Sequence, residues 1–556
     1  MCDPTLRQCF SYSALQTMII YRSVRIISSV TAALAAATMS SAIALPIIKT
    51  DTGNAIRWRD TVTVASGGWG RMIHLTNGSW LSVGTQYPDQ TTNTLHIVVS
   101  KDNTRIWKPL SRVEEPGRRM DNGELIQLKN GTVLLTGRDV VDGESYRFPV
   151  YKSTDNGATW TFISVIDANN NVVKGGPSQG LWEPHFFVLA DGRLAAAYAN
   201  EKHSVDVPSY SQVCSMRISP DNGSTWGPEI VMVSQPGGGN LRPGMPVVSR
   251  MKNGKFIEVS EVVGENNADV YAKISNDGWH WPSGLGTKIP LQHAGPWVMS
   301  LADGRVIVTS CSNEYSLSSD YGNTWVRIDS PYNCGFVWTW PALYQIGPST
   351  VGGMVTHGEI QLRYGTLNPQ PAKKKTWSSD FGSAPDVGWT HYGGSFAVQG
   401  GVYAATNAQS ESGGMSLTGD TTWGNGTFTS NVTLRSSGSA GLMFRTTNAN
   451  FSTAPHDNVG LSAAHGYAVV LDSSGRVILD KVDDGLTQLQ SRPLDVTIGR
   501  PYRVKITAMK SRIVVYVDDM NTPRIVVRDN EFKLGQIGVI ANASDAEFSS
   551  MSYREK

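Results

Sequence analysis

The 556-residue sequence has few charged residues and no excess of either sign. Charged side chains make up 17% of it, against ~25% in an average soluble protein, and the formal net charge at pH 7 is +1. Nucleic-acid-binding proteins usually carry a basic excess, so we expect no nucleic-acid partner. Disordered chains are poor in aromatic residues, and the 16 Trp and 19 Tyr argue against that class.

Metal-binding and phosphate-binding signatures are also missing. The five cysteines show no metal-like spacing, and no glycine-rich phosphate loop or Ser-His-Asp pattern stands out. We therefore predict no metal and no cofactor. A helical bundle would need more Ala, Leu, Glu and Lys, whereas 56 Gly together with many Trp favour short strands and tight turns.

Only one segment is long and apolar, and it lies at the amino terminus. Residues 26–44, IISSVTAALAAATMSSAIA, follow Arg22 and Arg25 and end in the cleavage-type tripeptide Ala42-Ile43-Ala44. This pattern predicts a secretory signal peptide over 1–44, with Met18 as an alternative start. An uncleaved signal anchor is the other interpretation. We expect a secreted, extracellular, monomeric protein with no membrane attachment after cleavage.

Glycine occurs in two interleaved repeats. The first, Ser-x-Asp-x-Gly-x-Thr-Trp, begins at Ser153, Ser219 and Ser318, and degenerate copies begin at Ser100 and Ser275. The second is an Asn-Gly or Asp-Gly turn between apolar runs, with turn residues Asn77, Asn130, Asp191, Asn253, Asp303 and a variant near Pro348. Copies of the first repeat recur roughly every 40–70 residues, near the ~40–50 residues of a four-stranded propeller blade.

The two repeats predict an all-β chain. We expect a six-bladed β-propeller over 55–366, a linker over 367–376 that contains two Pro and three Lys, and a β-sandwich over 377–556 with at least seven strands. The sandwich carries no Asp-Gly box of the first repeat. We expect it to bind carbohydrate or to take no part in catalysis.

Blade geometry predicts which residues share the top rim. Strand A of each blade starts at this rim and strand B returns to it. Eight residues before the A–B turn lie Trp69, Asn122, Glu183, Met245, Gly295 and Trp340, and eight after it lie Thr85, Arg138, Ala199, Glu261, Cys311 and Thr356. Proline follows four of the first set, which we interpret as the first position of a strand. Cys311 and Cys334 both fall near this rim, so we predict a disulfide between them.

Glu183 and Glu261 are the only carboxylates at these rim positions, and they belong to neighbouring blades. Glycosidic cleavage needs such a pair, with one acid at the leaving oxygen and one nucleophile or base. The alternative is that both are solvated surface charges. Glu258 should face away because of the two-residue period of a strand. We predict Glu183 as acid/base and Glu261 as nucleophile.

Seven further residues are predicted to bind substrate. The tryptophans among them could stack on sugar rings or pack between blades, and the arginines could bind hydroxyl or carboxylate groups or form ion pairs. They are Trp69, Arg71, Asn122, Arg138, Trp182, Arg242 and Trp340.

The segment WEPHF with Glu183, the segment RPGMPVVSRMKNGKFIEVSEV with Glu261 and the Asp-Gly boxes resemble glycoside hydrolase family 93, the exo-arabinanases. The resemblance implies a sialidase-like six-bladed propeller and a retaining mechanism with two glutamates. It also implies release of arabinobiose from the end of linear α-1,5-L-arabinan, a plant cell wall polysaccharide. Residues 377–556 resemble laminin-G-like sandwiches and carbohydrate-binding module family 66.

Two other functions stay open. A sialidase would use Arg71, Arg138 and Arg242 as a carboxylate-binding triad, but the sialidase-type Phe-Arg-Ile-Pro segment is absent and WGRMI stands near its place. A sugar-binding propeller without turnover is the other possibility. Two long segments flanking the glutamates, ANEKHSVDVPSYSQ and VSQPGGGNLRPG, are candidates for blocking one end of the cleft and enforcing exo cleavage.

Overall fold

The computed structural model describes residues 55–87, 92–170, 172, 176–265, 268–312, 314–332, 340–356, 358–369, 375–382, 388–407, 413–449 and 463–556. The predicted signal peptide, Cys334 and residues 370–374 of the predicted linker lie outside these ranges. Within them, the one helical element is a 3-10 turn, Lys202–Val205. No helix in this part of the chain has the length and hydrophobicity needed to cross a membrane.

Six four-stranded antiparallel sheets form the propeller. Blades 1 to 5 each use four consecutive strands. Blade 1 contains β2 (Gly68–His74), β3 (Trp80–Gln86), β4 (Thr94–Ser100) and β5 (Lys108–Val113), and blade 2 contains β6 (Arg119–Gln127), β7 (Val133–Val141), β8 (Ser145–Ser153) and β9 (Thr161–Asn169). Blade 3 contains β10 (Leu181–Val188), β11 (Leu194–Asn200), β12 (Val213–Ser219) and β13 (Ile230–Val233), and blade 4 contains β14 (Arg242–Arg250), β15 (Phe256–Val263), β16 (Asp269–Ser275) and β17 (Thr287–His293). Blade 5 contains β18 (Trp297–Ser300), β19 (Val306–Thr309), β20 (Glu314–Ser318) and β21 (Val326–Asp329).

Blade 6 closes the ring with strands from both ends of the propeller sequence. It contains β22 (Ala342–Gly347), β23 (Thr350–Thr356) and β24 (Glu359–Leu367), and its outermost strand is β1 (Ile56–Ser66), which pairs antiparallel with β24. The repeats did not predict this closure, because β1 precedes the first turn signal. Pairing the first strand with the last one joins the ring by backbone hydrogen bonds rather than by side chains alone.

The Ser-x-Asp-x-Gly-x-Thr-Trp segments form tight turns that also join neighbouring blades. In blade 2, the Asp155 carboxylate accepts hydrogen bonds from the backbone N–H of Thr159 (2.9 Å) and from its hydroxyl (2.6 Å). The indole of Trp160 donates to Ser111 in the outer strand of blade 1 (3.0 Å). Blade 3 repeats this contact on blade 2, since Trp226 donates to Ser164 (3.1 Å).

The remaining strands form two larger antiparallel sheets. One has the order β27-β28-β39-β30-β35-β36-β37, with β25 also paired to β39, and the other has the order β26-β29-β38-β31-β32-β33-β34. Their bounds are β25 (Thr376–Ser379), β26 (Thr390–Gly393), β27 (Phe396–Gln399), β28 (Val402–Thr406), β29 (Gly414–Thr418), β30 (Gly426–Leu434), β31 (Ser439–Thr447), β32 (His465–Asp472), β33 (Arg476–Asp483), β34 (Leu486–Pro493), β35 (Pro501–Met509), β36 (Arg512–Val517), β37 (Ile525–Arg528), β38 (Gln536–Asn542) and β39 (Asp545–Glu555). The predicted fold class, a six-bladed propeller followed by a β-sandwich, is confirmed.

Blade 5 contacts the sandwich through polar groups. Arg327 donates from its guanidinium to the carbonyl of His391 (2.6 Å), and its backbone N–H donates to the Tyr392 hydroxyl (3.1 Å). The backbone N–H of Trp325 donates to the Asn448 side chain (2.9 Å). These bonds fix the sandwich against the outer part of that blade.

Closure of the ring should depend on Trp58, which lies in β1 but contacts blade 5. Its indole donates to the carbonyl of Asp329 (3.0 Å), and its ring packs edge-on against Tyr315 (6.1 Å between centroids). Because Trp58→Ala removes both contacts and leaves a cavity, we expect it to lower the free energy of unfolding by roughly 2–4 kcal/mol. Urea denaturation measures this. Arg57→Ala, at an exposed neighbour in the same strand, is the control, and an equal effect of the two substitutions would contradict the closure role.

Candidate active site

The six positions that precede the A–B turns share an unusual backbone conformation. Their φ angles lie between 42° and 56°, in the left-handed region, although five of the six residues are not glycine. They are Trp69, Asn122, Glu183, Met245, Gly295 and Trp340. A non-glycine residue held there costs roughly 1–3 kcal/mol and persists only where its surroundings impose it. We call these six the bulge residues, and the side of the propeller that carries them the rim.

Each of the first four blades has a slip in strand pairing at its bulge residue. The register shifts lie between Gly68 and Arg71, Asp121 and Glu124, Trp182 and His185, and Gly244 and Val247. A β-bulge leaves residues without ladder partners and redirects their side chains. This corrects the prediction for proline. Pro184 and Pro246 do not begin their strands but follow the bulge residue, where the missing N–H breaks no ladder hydrogen bond.

The bulges bring the two predicted catalytic glutamates to the same part of the rim. Glu183 Oε2 accepts a hydrogen bond from the backbone N–H of Met245 (3.2 Å), the bulge residue of the next blade. Glu261 Oε2 accepts one from the backbone N–H of Gly295 (2.6 Å), again the bulge residue of the next blade. Gly244, next to Met245, is the cross-strand partner of Glu261. Backbone amides that the bulge releases from the ladder therefore hold both carboxylates.

The pKa values of the Glu183 and Glu261 carboxyl groups are set by partly different neighbours. Burial, and next the charge on Glu261, raise the pKa of Glu183 to about 8, against the opposing effects of the Met245 N–H and of Arg138 and Arg242. Burial also raises the pKa of Glu261, opposed by the Gly295 N–H and by Arg242. Glu183 keeps part of its surface exposed, whereas Glu261 is buried. At neutral pH Glu183 therefore holds a proton, as a general acid must.

Arg242 is the arginine with the most open position near both glutamates. Its Nη2 donates to a Glu201 carboxylate oxygen and to the Gln212 side-chain oxygen (3.0 Å). The other Glu201 oxygen accepts from the backbone N–H of Gly180 (2.8 Å). The Arg242 side chain remains 31% exposed. It can therefore supply positive charge to the carboxylates and still reach a ligand.

Arg138 and Arg71 are buried and form hydrogen bonds with protein groups. Arg138 pairs with Asp121 (3.1 Å), donates to the Leu181 carbonyl (3.1 Å) and lies 3.7 Å from the centre of the Trp182 ring. Burial lowers the pKa of Arg71. Its Nη1 donates to the carbonyls of Gly70 (2.8 Å) and Trp340 (3.3 Å). Both guanidinium groups are buried, and each already donates to protein oxygens.

The predicted tryptophans are placed differently from one another. Trp69 is only 4% exposed, because Arg71 lies 4.4 Å from its ring centre and Trp340 packs against it at 5.7 Å. Trp182 and Trp340 keep part of their surfaces exposed. Asn122 is half-buried at its bulge. Trp182 and Trp340 are therefore better placed than Trp69 to stack on a sugar.

Beneath the bulge residues lies a pair that the rim offsets missed. Glu124 Oε1 and His185 Nδ1 are 3.2 Å apart, and both side chains are buried. The His185 Nε2 bonds to the carbonyl of Val248 (3.1 Å). Both residues, like Arg71, come two positions after a bulge residue, so extending the offset count by two residues would have found them. They form a polar layer below the rim.

Two other predictions concern residues near the glutamates. Glu258 is fully buried, opposite Lys273 in the neighbouring strand, and burial raises its pKa to about 8.

A Cβ at Gly295 would lie 3.0 Å from the Sγ of buried Cys311, which explains the glycine at that bulge. The predicted partner of Cys311, Cys334, lies outside the described residues. Within the described part of the chain, no group of three or more His, Cys, Asp or Glu is arranged to hold a metal ion.

Comparisons with known proteins give structural likenesses only. No protein-family model matches the sequence, and no curated protein matches it. The α-L-arabinanase of Penicillium chrysogenum, solved with arabinobiose, is 23% identical and covers 56% of this chain and 98% of its own, with a TM-score of 0.49. The family 93 α-L-arabinofuranosidase of Fusarium graminearum, also solved with arabinobiose, is 21% identical with the same coverage and TM-score.

A third likeness is to a carbohydrate-binding module, CBM66 from Bacillus subtilis. It is 21% identical and covers 30% of this chain and 96% of its own, with a TM-score of 0.26. At such identities a likeness concerns the fold and does not transfer a substrate. Family membership therefore stays a prediction.

The raised pKa of Glu183 should be visible in the pH dependence of stability. An unfolded glutamate titrates near pH 4.5, and folded Glu183 near pH 8. Between these values the folded state alone keeps the proton, so stability falls as pH rises, by up to ~1.4 kcal/mol per pH unit for one group. Glu183→Gln has no proton to lose. Its stability should fall less steeply with pH and exceed that of the wild type at pH 9.

Chemical denaturation at pH 5, 6.5, 8 and 9 measures this slope. Glu144→Gln, at an exposed glutamate of the propeller, is the matched control and should parallel the wild type. Parallel curves for Glu183→Gln and the wild type would show that Glu183 titrates as an ordinary carboxyl group.

Proposed function

We propose that this protein is a secreted, retaining glycoside hydrolase that cleaves linear α-1,5-L-arabinan from a chain end and releases arabinobiose. One observation carries the proposal. Two glutamates from adjacent blades are each bonded by a bulge amide at one part of the rim, and one of them is held protonated at neutral pH. Glycosidic cleavage requires a protonated acid and, beside it, a second carboxylate that acts as nucleophile or base.

The reaction would proceed in two displacements. Glu183 gives its proton to the glycosidic oxygen while a carboxylate oxygen of Glu261 attacks the anomeric carbon, so the C–O bond to the leaving sugar breaks and an ester to Glu261 forms. Glu183, now ionised, takes a proton from water as that water attacks the same carbon. The ester bond breaks, and both glutamates return to their starting forms with the configuration retained.

Arg242 would support this division of labour. Its charge favours the ionised form of Glu261 against the effect of burial, which is the form that a nucleophile needs. Glu201 and Gln212 fix the guanidinium at the site. When the charge on Glu261 is consumed by ester formation, the repulsion that raises the pKa of Glu183 disappears. The pKa of Glu183 then falls, so Glu183 stays ionised after it has given up its proton and can accept a proton from water in the second step.

A sialidase is the weaker proposal. Its substrate carboxylate requires guanidinium groups with free paired donors. Arg71 and Arg138 are 3% and 5% exposed and bonded to protein groups, which leaves Arg242 alone. A sugar-binding propeller without turnover would not explain why one carboxyl group is held protonated beside another.

The arabinan specificity rests on the resemblance of the two glutamate segments to family 93. Secretion rests on the amino-terminal signal pattern. A monomeric state and a carbohydrate-binding role for the sandwich belong to the same proposal.

Exo cleavage would come from a wall beside the glutamates that is made of two joined loops. The first loop, 201–212, and the second, 234–241, are linked because Gly239 N–H donates to the Ser209 carbonyl (2.9 Å) and Ser211 N–H to the Gly239 carbonyl (2.9 Å). Lys202 anchors the first loop through Asp167 (2.6 Å). Arg242 immediately follows the second loop and binds both ends of the first, at Glu201 and Gln212. The wall and the site are therefore one hydrogen-bonded unit.

Alanine variants with azide should separate the roles of the two glutamates. We expect Glu183→Ala and Glu261→Ala each to lose roughly 10³-fold or more of kcat on arabino-oligosaccharides, because each removes a group that acts in the transition state. Azide replaces the missing nucleophile in Glu261→Ala and should give a glycosyl azide of inverted configuration. In Glu183→Ala it attacks the glycosyl-enzyme and should give a retained one.

NMR of the azide products reads the configuration, and Glu258→Gln, which alters the buried carboxyl group away from the rim, is the control that should show no azide dependence. Swapped configurations would exchange the two roles. Full activity in either alanine variant would exclude the pair as catalytic groups.

Shortening the wall should change the products. On debranched linear arabinan the wild type should release arabinobiose from chain ends as its single early product. Replacing 205–209 with two glycines removes the Ser209 carbonyl that holds the second loop, so the cleft should open and longer mixed oligomers should appear. Product sizing by chromatography tests this. Val207→Ser, at a position 99% exposed in the same loop, is the control, and a folded shortened enzyme that still releases only arabinobiose at the same rate would contradict the role of the wall.

A further inference from the structure

A polar groove of about 600 Å³ lies at one end of the sandwich. Four segments meet there: the stretch before β30, the turn between β35 and β36, the loop between β37 and β38, and the end of β39. Its volume is within the ~300–1,000 Å³ of small-molecule sites. It is lined by residues of the sandwich alone, so it is separate from the propeller rim.

Arg445 organises the groove from beneath. This residue is 3% exposed, and its guanidinium donates to the carbonyls of Gly424 (3.2 Å), Lys510 (2.9 Å) and Phe532 (3.2 Å). One side chain thus ties three of the four segments together. Because its donors are used in this way, Arg445 shapes the groove and leaves ligand binding to other groups.

Asn425 completes the frame. Its side-chain oxygen accepts from the backbone N–H of Lys510 (2.6 Å) and from Arg445 Nη2 (3.3 Å), and its carbonyl accepts from the N–H of Lys556 (2.9 Å). The backbones that carry two lining lysines are therefore fixed relative to each other. A rigid frame lowers the ordering cost of binding.

Three lysines put an excess of positive charge on this groove. Lys510, Lys533 and Lys556 all line it and are exposed, and their ammonium groups make no ion pair with any described residue. One carboxylate, Glu555, lines it as well. Like charges that outnumber their counter-charges repel one another, and an anion that enters reduces that repulsion.

We infer that this groove binds a uronate-bearing polysaccharide through its carboxylate groups. Thr422, Ser511 and Asn530 supply hydroxyl and amide partners suited to sugar hydroxyls, and Leu534, 52% exposed, offers a small apolar surface. None of the described lining residues is aromatic, so the groove has no platform for stacking nucleic-acid bases. The inference names the ligand class of the sandwich and does not depend on arabinan cleavage by the propeller.

Binding of the full chain to galacturonan tests this. The wild type should bind de-esterified polygalacturonate in affinity electrophoresis and calorimetry, and binding should weaken as salt rises. Methyl-esterified galacturonan and linear arabinan carry no charge. Their affinity should be lower by at least roughly ten-fold, because the charge contacts are lost. Lys510→Gln, Lys533→Gln and Lys556→Gln combined should cause a similar loss, and the three Lys→Arg substitutions combined should restore binding.

Three exposed propeller lysines serve as the matched control. Lys101→Gln, Lys129→Gln and Lys152→Gln combined change the net charge equally and should bind as the wild type does. All variants should unfold at the wild-type denaturant concentration and keep the wild-type rate on arabino-oligosaccharides. Unchanged binding of the groove variant would overturn the inference. So would equal affinity for dextran sulfate or single-stranded DNA, neither of which carries a carboxylate, because it would indicate a general polyanion contact.

Discussion

Six residues in the left-handed conformation determine how this propeller presents its chemistry. Holding a side chain such as Trp69, Glu183 or Met245 at positive φ is costly, and the ring imposes it in every blade. At two of these positions the backbone N–H donates to a side chain of the preceding blade and not within its own ladder. Met245 and Gly295 use that N–H to hold Glu183 and Glu261. The glutamates are thus placed by main-chain geometry, which side-chain motion disturbs little.

That placement creates the electrostatic asymmetry of the pair. Two carboxylates that share one buried part of the rim cannot both ionise freely, because each charge disfavours the other. Arg242 acts on both, and it is itself fixed by Glu201 and Gln212. The charge on Glu261 adds to burial in raising the pKa of Glu183, so the proton resides on Glu183 at neutral pH. Burial, repulsion and one oriented cation together distinguish the proposed acid, Glu183, from the proposed nucleophile, Glu261.

The sequence predicted what local turn chemistry and spacing encode. Asn-Gly and Asp-Gly turns fixed the register of each blade, and counting from them placed Glu183 and Glu261 at equivalent points of neighbouring blades. The count could not reveal the bulge, since a non-glycine residue at positive φ leaves no mark in composition. It therefore assigned Pro184 to a strand start and missed Glu124 and His185, two residues further on. Burial of Trp69 and Arg71 was equally hidden, because it depends on Trp340 from the opposite end of the propeller sequence.

The closure of the ring links these levels. Glu183 and Glu261 belong to different blades, so their relative position is only as rigid as the packing between blades 3, 4 and 5. In an open stack, blades 3 and 4 could splay, and the amides of Met245 and Gly295 would withdraw from their carboxylates. Pairing of β1 with β24 prevents this by making every blade internal to a continuous ring. Trp160 also bonds blade 2 to blade 1, and Trp226 bonds blade 3 to blade 2. A strand that is distant in sequence from both glutamates therefore helps to hold the pKa of Glu183 at its raised value, because that value requires the two carboxyl groups to remain together.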